Sequence, residues 1–598
     1  MSPAHGFGPL WLPKGGARFH LFAPGKERVL LKLDSRSGAR AAPVAMERDA
    51  DGWHFIDCPR CEPGDRYAFD IGGLVVPDPA SRFQPDGVHS ASELIDLQAY
   101  DWRTVWQGRP WREAVICELH VGCFSASGDY AGVEARLDAL VDAGYTAIEL
   151  MPLAQFSGTR GWGYDGVLPF APHCTYGRPE RLQKLVEAAH ARGLSVLLDV
   201  VYNHYGPDGY YVPQYWPQFV DPSLHTPWGA AINYGGQDSA LVRQFVFENA
   251  AYWLREFRFD GLRFDAVHAI NDTSRPHLLT ELATRLRREF KGRELHLVVE
   301  NERNDAALLE RTGGEPRQFT AQWNDDVHHG LHVALTGESE GYYSDYHGER
   351  ALLPRALAEG FGFQGEFMRS LGRKRGTPST ALPPTAFVDF LQNHDQIGNR
   401  ALGERVTALA DEEAVAVALG VLLLSPHVPL MFMGEEWGAR TPFAFFCDFP
   451  EPLATAVREG RRHEFEHFEA FRDATARERI PDPLAESTFE RSRLDWAERD
   501  APAGRVRLEL VRRLLELRRR EIVPWLREHP APQGRWQMQE GAFTVTWRDG
   551  SALHLRCNLS GEPVSLPTVD GARRLLALGA VDGESLGGFA LTWDIVDA

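Results

Sequence analysis

The sequence predicts a (β/α)8 TIM barrel flanked by an N-terminal and a C-terminal β-sandwich domain, an α/β fold, and three observations predict it. Between Val115 and Met433 eight short apolar segments alternate with helical ones; parallel strands need crossover helices, and such a sheet closes at eight. Before that region, from Gly16 to about Leu97, the apolar pattern has period two and is interrupted by Gly, Pro and Asp clusters. After about Leu517 the helical pattern stops and period two returns, so the expected domains are 1–105, 106–525 and 526–598.

In the first domain the strands fall at Arg18–Phe22, Val29–Leu33, Trp53–Ile56 and Tyr67–Ile71. The polar stretch from Tyr100 to Arg112 then carries Trp102, Trp106 and Trp111, which we read as packing this domain onto its neighbour. Barrel strands are expected at Val115–Val121, Thr146–Met151, Ser195–Val201, Gly261–Asp265, Leu295–Glu300, Phe319–Trp323, Ala386–Leu391 and Pro429–Met433. Helices are expected at Val133–Ala143, Pro179–Arg192, Leu241–Phe257 and Arg275–Phe290. A doubly wound open sheet is the alternative, but no G-x-G-x-x-G or P-loop follows any of these strands. The last domain has alternating runs at Arg535–Met538, Phe543–Trp547, Ala552–Leu559 and Phe589–Trp593.

Composition excludes several functions. The 598 residues carry 64 Lys and Arg against 83 Asp and Glu, a net charge of −19 that repels nucleic acid. The most apolar run, Ala414 to Gly434, is broken by Ser425, Pro426, His427 and Pro429, so it reads as a buried helix and strand and not as a membrane span. The N-terminus lacks the pattern of a secretory signal, and seven scattered cysteines make no disulfide framework, so we expect a cytoplasmic monomer with neither membrane nor nucleic-acid partner. Cys58-Pro-Arg-Cys61 is an isolated pair without metal spacing.

On such a barrel reactive groups stand at the C-terminal ends of the strands. There the sequence places Asp199, Asp265, Glu300 and Asp395. Arg263 and Asp265 share a strand face, and the guanidinium favours an ionised carboxylate, as a nucleophile requires. This pair alone reads equally well as a structural ion pair. Glu300 ends the apolar stretch Leu295–Val299, where burial and nearby negative charge would keep it protonated as a general acid, with Glu302 as the substitute. Two carboxyls in opposite protonation states, surrounded by His204, His394 and the loop aromatics Trp162, Tyr164, Trp228, Trp323 and Trp437, fit glycoside chemistry. No G-x-S-x-G or H-E-x-x-H motif offers another hydrolytic chemistry.

Asp199-Val-Val-Tyr-Asn-His204, Gly261-Leu-Arg-Phe-Asp265, Glu300 and Leu391-Gln-Asn-His-Asp395 together resemble the four ordered signature regions of the α-amylase family, over roughly Pro110 to Leu517. The stretches Gly163–His173, Thr226–Asn233, Phe264–His268, Glu300–Asp305, Trp323–His329 and Phe432–Gly438 resemble the branch acting on α-glucans that end in a trehalose unit (maltooligosyltrehalose). The resemblance implies retaining hydrolysis of the adjoining α-1,4 bond, with Asp265 as nucleophile, Glu300 as acid and base and Asp395 as transition-state stabiliser. It implies that Tyr164, His204, Arg263 and His394 line the site of the attacked sugar, and we expect Asp199 among the substrate-binding residues. Substrate contacts are further implied for Phe264, Ala266, Val267 and His268, for Trp323, Asn324, Asp325, Asp326, Val327 and His328, and for Gln396, Ile397, Gly398 and Asn399, with Trp228 at the trehalose end. No cofactor or essential metal is expected, because no clustered Asp set follows Asn203 as in a calcium loop. Rival readings are a branching or debranching enzyme of the same family and a catalytically silent glycan-binding protein.

Overall fold

A computed structural model of the chain describes residues 6–38, 41–226 and 229–597. The N-terminal period-two segments form two antiparallel sheets, one built on Ala17–Phe22 and Trp53–Cys58, the other on Leu30–Asp34 and Arg66–Asp70. Phe19, Leu21, Leu31, Tyr67 and Phe69 are buried between them. This sandwich docks on the barrel through Phe7 and Phe22, whose rings meet Trp216. The linker tryptophans fasten the connecting strap to the barrel: Trp106 donates to Asp260 and stacks on His190, and Trp111 donates to the Thr385 carbonyl.

Eight parallel strands close into a barrel: β1 (Ile116–Leu119), β2 (Ala147–Leu150), β3 (Ser195–Val200), β4 (Gly261–Phe264), β5 (His296–Val299), β6 (Ala321–Trp323), β7 (Phe387–Phe390) and β8 (Val428–Phe432). Closure pairs Ile116 of β1 with Leu430 of β8. The register that matters to the site sets Asp199 of β3 beside Arg263 of β4, and Glu118 of β1 beside Glu149 of β2.

Two helical expectations are corrected. The helix expected at Val133–Ala143 begins earlier and is split into Tyr130–Glu134 and Leu137–Ala143, because Asp129 caps a first short helix by accepting from the Gly132 amide. The helical pattern does not stop at Leu517. A π-turn, Arg518–Ile522, follows Pro502–Leu517 and leads into Val523–Glu528. The extra residue rotates the apolar face and hides the periodicity, while buried Arg518 donates to the carbonyls of Leu423, Ser425 and His427.

Ala414–Gly434 resolves into the helix Glu412–Leu424 followed by β8. Its apolarity on all sides follows from its place: Trp593 of the C-terminal sheet donates to the Gly420 carbonyl, and a Cβ at Gly420 would meet Leu591 at 2.9 Å. That sheet has five strands, ordered Gln533–Gln539, Ala542–Asp549, Ser551–Asn558, Ala590–Val596, Arg573–Leu578, with a smaller three-stranded sheet beside it. Among the described residues no helix is long and apolar enough to cross a membrane.

Candidate active site

Asp265 and Glu300 each follow directly on the last residue of a barrel strand, so the barrel presents both on its C-terminal rim. Arg263 on β4, fully buried, binds them together: Nη1 donates to Asp265 Oδ1 at 3.0 Å and Nη2 to Glu300 Oε2 at 2.9 Å. Nη1 also donates to Asp199 Oδ2 at 2.8 Å, and the guanidinium lies 4.0 Å over the Trp323 ring. Ala266 adopts a left-handed conformation, φ 37°, and its amide donates to Glu300 Oε2 at 2.9 Å. Asn203 donates to Asp265 Oδ2 at 2.8 Å, so its amide is committed to the nucleophile candidate.

Asp395 stands one residue into the short helix His394–Gly398 after β7. His394 beside it is fully buried; its Nδ1 meets Glu118 Oε1, its amide donates to Glu118 Oε2 at 2.9 Å, and its Nε2 lies 2.7 Å from Tyr164 Oη and 3.4 Å from Asp395 Oδ1. Tyr164 gives its single hydroxyl proton to Asp199 Oδ2 at 2.6 Å, so it must accept from His394 Nε2. With Nδ1 facing a carboxylate, both ring nitrogens donate and His394 is an imidazolium. Burial opposes that charge, but Glu118 and Asp395 outweigh it and raise the pKa to about 9.

The contacts around the carboxyl pair favour the charge on Glu300 over that on Asp265. Burial pushes Glu300 up, but Arg263, the Ala266 amide, His268 and His394 together hold it below the usual carboxylate range. Burial and then the charge on Glu300 push Asp265 well above that range. The two carboxyls share Arg263, and the added Ala266 amide favours the charged form of Glu300. The sequence reading assigned Arg263 to Asp265 alone; the fold lets the same guanidinium, plus an amide, reach Glu300. Burial also raises Asp395, with His394 opposing and Glu300 reinforcing, and raises Asp199 to about 6.

A cleft of about 590 Å³ lies over this group, a size suited to a small ligand. Of the residues expected from sequence, Tyr164, His204, Asp265, Ala266, His268, Glu300, Trp323, Asp325, Asp395, Gln396 and Asn399 line it. Glu302 also lines it, paired with Arg373. Asp199, Arg263 and His394 lie just beneath. The remainder are enclosed in the wall and do not open on the cleft. Phe264, Val267, Val327 and Ile397 are apolar core, and Gly398 is buried against Trp162. Asn324 donates to Gly360 O and Asp389, and His328 binds the Leu391 carbonyl. Asp326 is fully buried on Arg375, Asn304, Tyr346 and the Gly362 amide. Trp437 packs on Trp496, away from the cleft, and Trp228 lies outside the described residues.

Sequence reasoning missed Asp165, His329, Tyr342, Arg375, Asn393 and Phe445 in the lining, and Glu118 beneath it. His329 was findable, being four residues after Asp325 on one helical face. Glu118 was hidden because a carboxylate inside a β-strand carries no local signal until its neighbour at position 394 is known. Among the described residues no three His, Cys, Asp or Glu side chains group as metal ligands.

Residues 84–214 match the family model of the alpha amylase catalytic domain, and 534–593 match a domain of unknown function. A malto-oligosyltrehalose trehalohydrolase of Mycobacterium tuberculosis is 41% identical over 567 residues, 92% of this chain and 93% of its own. One from Saccharolobus solfataricus is 40% identical over 488 residues, 81% of this chain and 83% of its own. A crystal structure from Salmonella typhimurium, whose name assigns it provisionally to the alpha amylases, superposes with a TM-score of 0.93 at 42% identity, covering 99% of this chain and 100% of that one. At this identity and over this share of its length, the chain belongs to the malto-oligosyltrehalose trehalohydrolases of the α-amylase family.

Proposed function

We propose that this chain is a retaining glycoside hydrolase that cuts the α-1,4 bond beside the terminal trehalosyl unit of maltooligosyltrehalose, releasing trehalose and a shortened maltooligosaccharide. The observation that carries the reading is Arg263 gripping Asp265 and Glu300 with its two terminal nitrogens. Carboxylates held on one guanidinium stand together on one rim, as a nucleophile and an acid acting on the same glycosidic bond require. Asp265 attacks the anomeric carbon as the bond to the leaving oxygen breaks, and Glu300 protonates that oxygen. Glu300 then deprotonates the water that displaces Asp265.

The pair needs one proton, and it must sit on Glu300 when the bond breaks. Turning toward the glycosidic oxygen takes Glu300 off Arg263 and the Ala266 amide, the contacts that support its charge. Glu300 then accepts the proton that Asp265 gives up as the guanidinium is left to Asp265. Neutral Glu300 no longer raises Asp395, whose carboxylate faces the positive charge developing on the sugar. Tyr164, His204 and the His394 imidazolium surround that ring, and His268, Asp325, Gln396 and Asn399 meet the flanking sugars. We place the enzyme in the cytoplasm as a monomer; its seven free thiols fit a reducing compartment.

The test is incubation of the purified protein with maltotriosyltrehalose and, separately, maltopentaose, with released sugars resolved by chromatography. Trehalose and maltotriose from the first, with much slower attack on the second, are expected. Equal cleavage of both, or transfer to form branches, would reject the trehalose specificity while leaving the catalytic trio in place.

A further inference from the structure

A second cavity, of about 580 Å³, lies at the opposite end of the barrel. Its walls include Pro110–Arg112 before β1, Leu295 and His296 at the start of β5, Thr320 before β6 and Thr385 before β7. It is therefore at the N-terminal rim, where no part of the glycosidase site reaches.

Five arginines line it, Arg112, Arg287, Arg293, Arg311 and Arg527, against two carboxylates, the exposed Glu294 and Glu315. Among the described residues none of the five is in an ion pair. Arg287 donates to the carbonyls of Gln318 and Leu295 and to the Thr320 hydroxyl. Arg311 donates to the carbonyls of Leu309, Phe319 and Thr320, and Arg293 to those of Leu254, Arg258 and Phe259. Asp260, which acts on Arg293 from behind, is already engaged by His190, Trp106 and the Val196 amide. The Arg112 Nε is buried with no hydrogen-bond partner at all. Burial lowers Arg287 and Arg311 to about 10 against the opposing charge of Glu315, and in Arg311 the charge of Arg287 adds to the effect.

Half-buried guanidinium groups whose hydrogen bonds go only to neutral acceptors are costly, the exposed Glu315 offsets only part of that charge, and here they cluster in a protein whose net charge is −19. Arginine forks match phosphate oxygens, and a dianion offsets most of the excess positive charge in this cavity. The volume exceeds what a bare phosphate fills and lies within the range of small-ligand sites. We propose that this cavity binds a small phosphorylated metabolite, a phosphate monoester whose dianion is held between Arg112, Arg287 and Arg311 with Arg527 at the mouth.

The experiment is calorimetric titration of the full-length protein at low ionic strength with glucose 6-phosphate, inorganic phosphate and glucose. Expected are saturable one-to-one binding of glucose 6-phosphate, weaker binding of inorganic phosphate, none of glucose, and loss of affinity with added salt. Arg287 and Arg311 hold carbonyls of the rim, so the variants are Arg112→Gln and Arg527→Gln, which spare those anchors. Each should weaken glucose 6-phosphate by about tenfold or more, with oligosaccharide hydrolysis in the absence of phosphate unchanged. Absence of saturable binding by either phosphate, or an unaltered affinity in the double variant, would overturn the site. Equal affinity for the ester and for inorganic phosphate would overturn the assignment to an organic ester.

Discussion

At the scale of single residues the site depends on a buried carboxylate that touches no substrate. Glu118 binds both the ring and the amide of His394, and through them fixes the donor that faces Tyr164 and Asp395. It is a positioning residue. Glu118→Gln keeps the hydrogen-bonding shape and removes the negative charge that sustains the His394 imidazolium. His394 should then lose its proton at lower pH, so the alkaline limb of kcat/KM moves toward acid by about one pH unit or more, while activity on the acid side stays close to that of the unchanged enzyme. A pH–rate profile of the variant decides this; a uniform drop at every pH would mean that Glu118 is merely structural.

Among elements, the short helix His394–Gly398 shows how tightly the cleft wall is fitted. A Cβ at Gly398 would lie 2.0 Å from Trp162 Cζ2, and Trp162 in turn lines the cleft and meets the His394 ring edge-on at 5.4 Å. Gly398→Ala must displace the indole, at a cost of about 1–3 kcal/mol, and should lower kcat/KM through His394. Trp162→Phe shortens the ring, so thermal melts of the double variant should show less loss than the two single losses added. These close fits explain what the sequence could and could not reveal. All eight barrel strands were legible, because apolar runs between helical ones leave few topologies. Asp265, Glu300 and Asp395 were legible because strand ends are where a barrel displays carboxylates. The π-turn at Arg518 was not, since one inserted residue scrambles periodicity without leaving a Gly or Pro. Nor was the enclosure of Asp326 or Asn324, as a motif names neighbours in sequence and says nothing of which side chain faces the cleft. The contacts that support charge on Glu300 were not legible for the same reason: its amide partner Ala266 comes from the turn after β4.

Across the whole molecule, stability should pass through a maximum with pH, because two sets of buried groups act on it in opposite senses. His120, His173, His204, His296 and His554 are held neutral by burial, with pKa values of about 3 to 4 against 6.5 unfolded. Between those limits the unfolded chain binds more protons, so stability rises with pH up to about 6.5 and is lost as pH falls below it. Glu435 and Glu436, buried after β8, are raised by burial to about 8 and about 7 from 4.5. For these, and for His394 at about 9, the folded protein binds more protons, so their contribution is lost as pH rises, through about 8 for the glutamates and about 9 for His394. Thermal melts from pH 4 to pH 10 should give a dome rather than a plateau. Glu435→Gln separates the two sets: it removes one buried ionisation, so the loss between pH 4.5 and about 8 should become shallower, while below pH 4.5, where only the histidines of the two sets titrate, the slope should be kept. An unchanged slope between pH 4.5 and about 8 in this variant would show that the buried glutamates do not drive the loss.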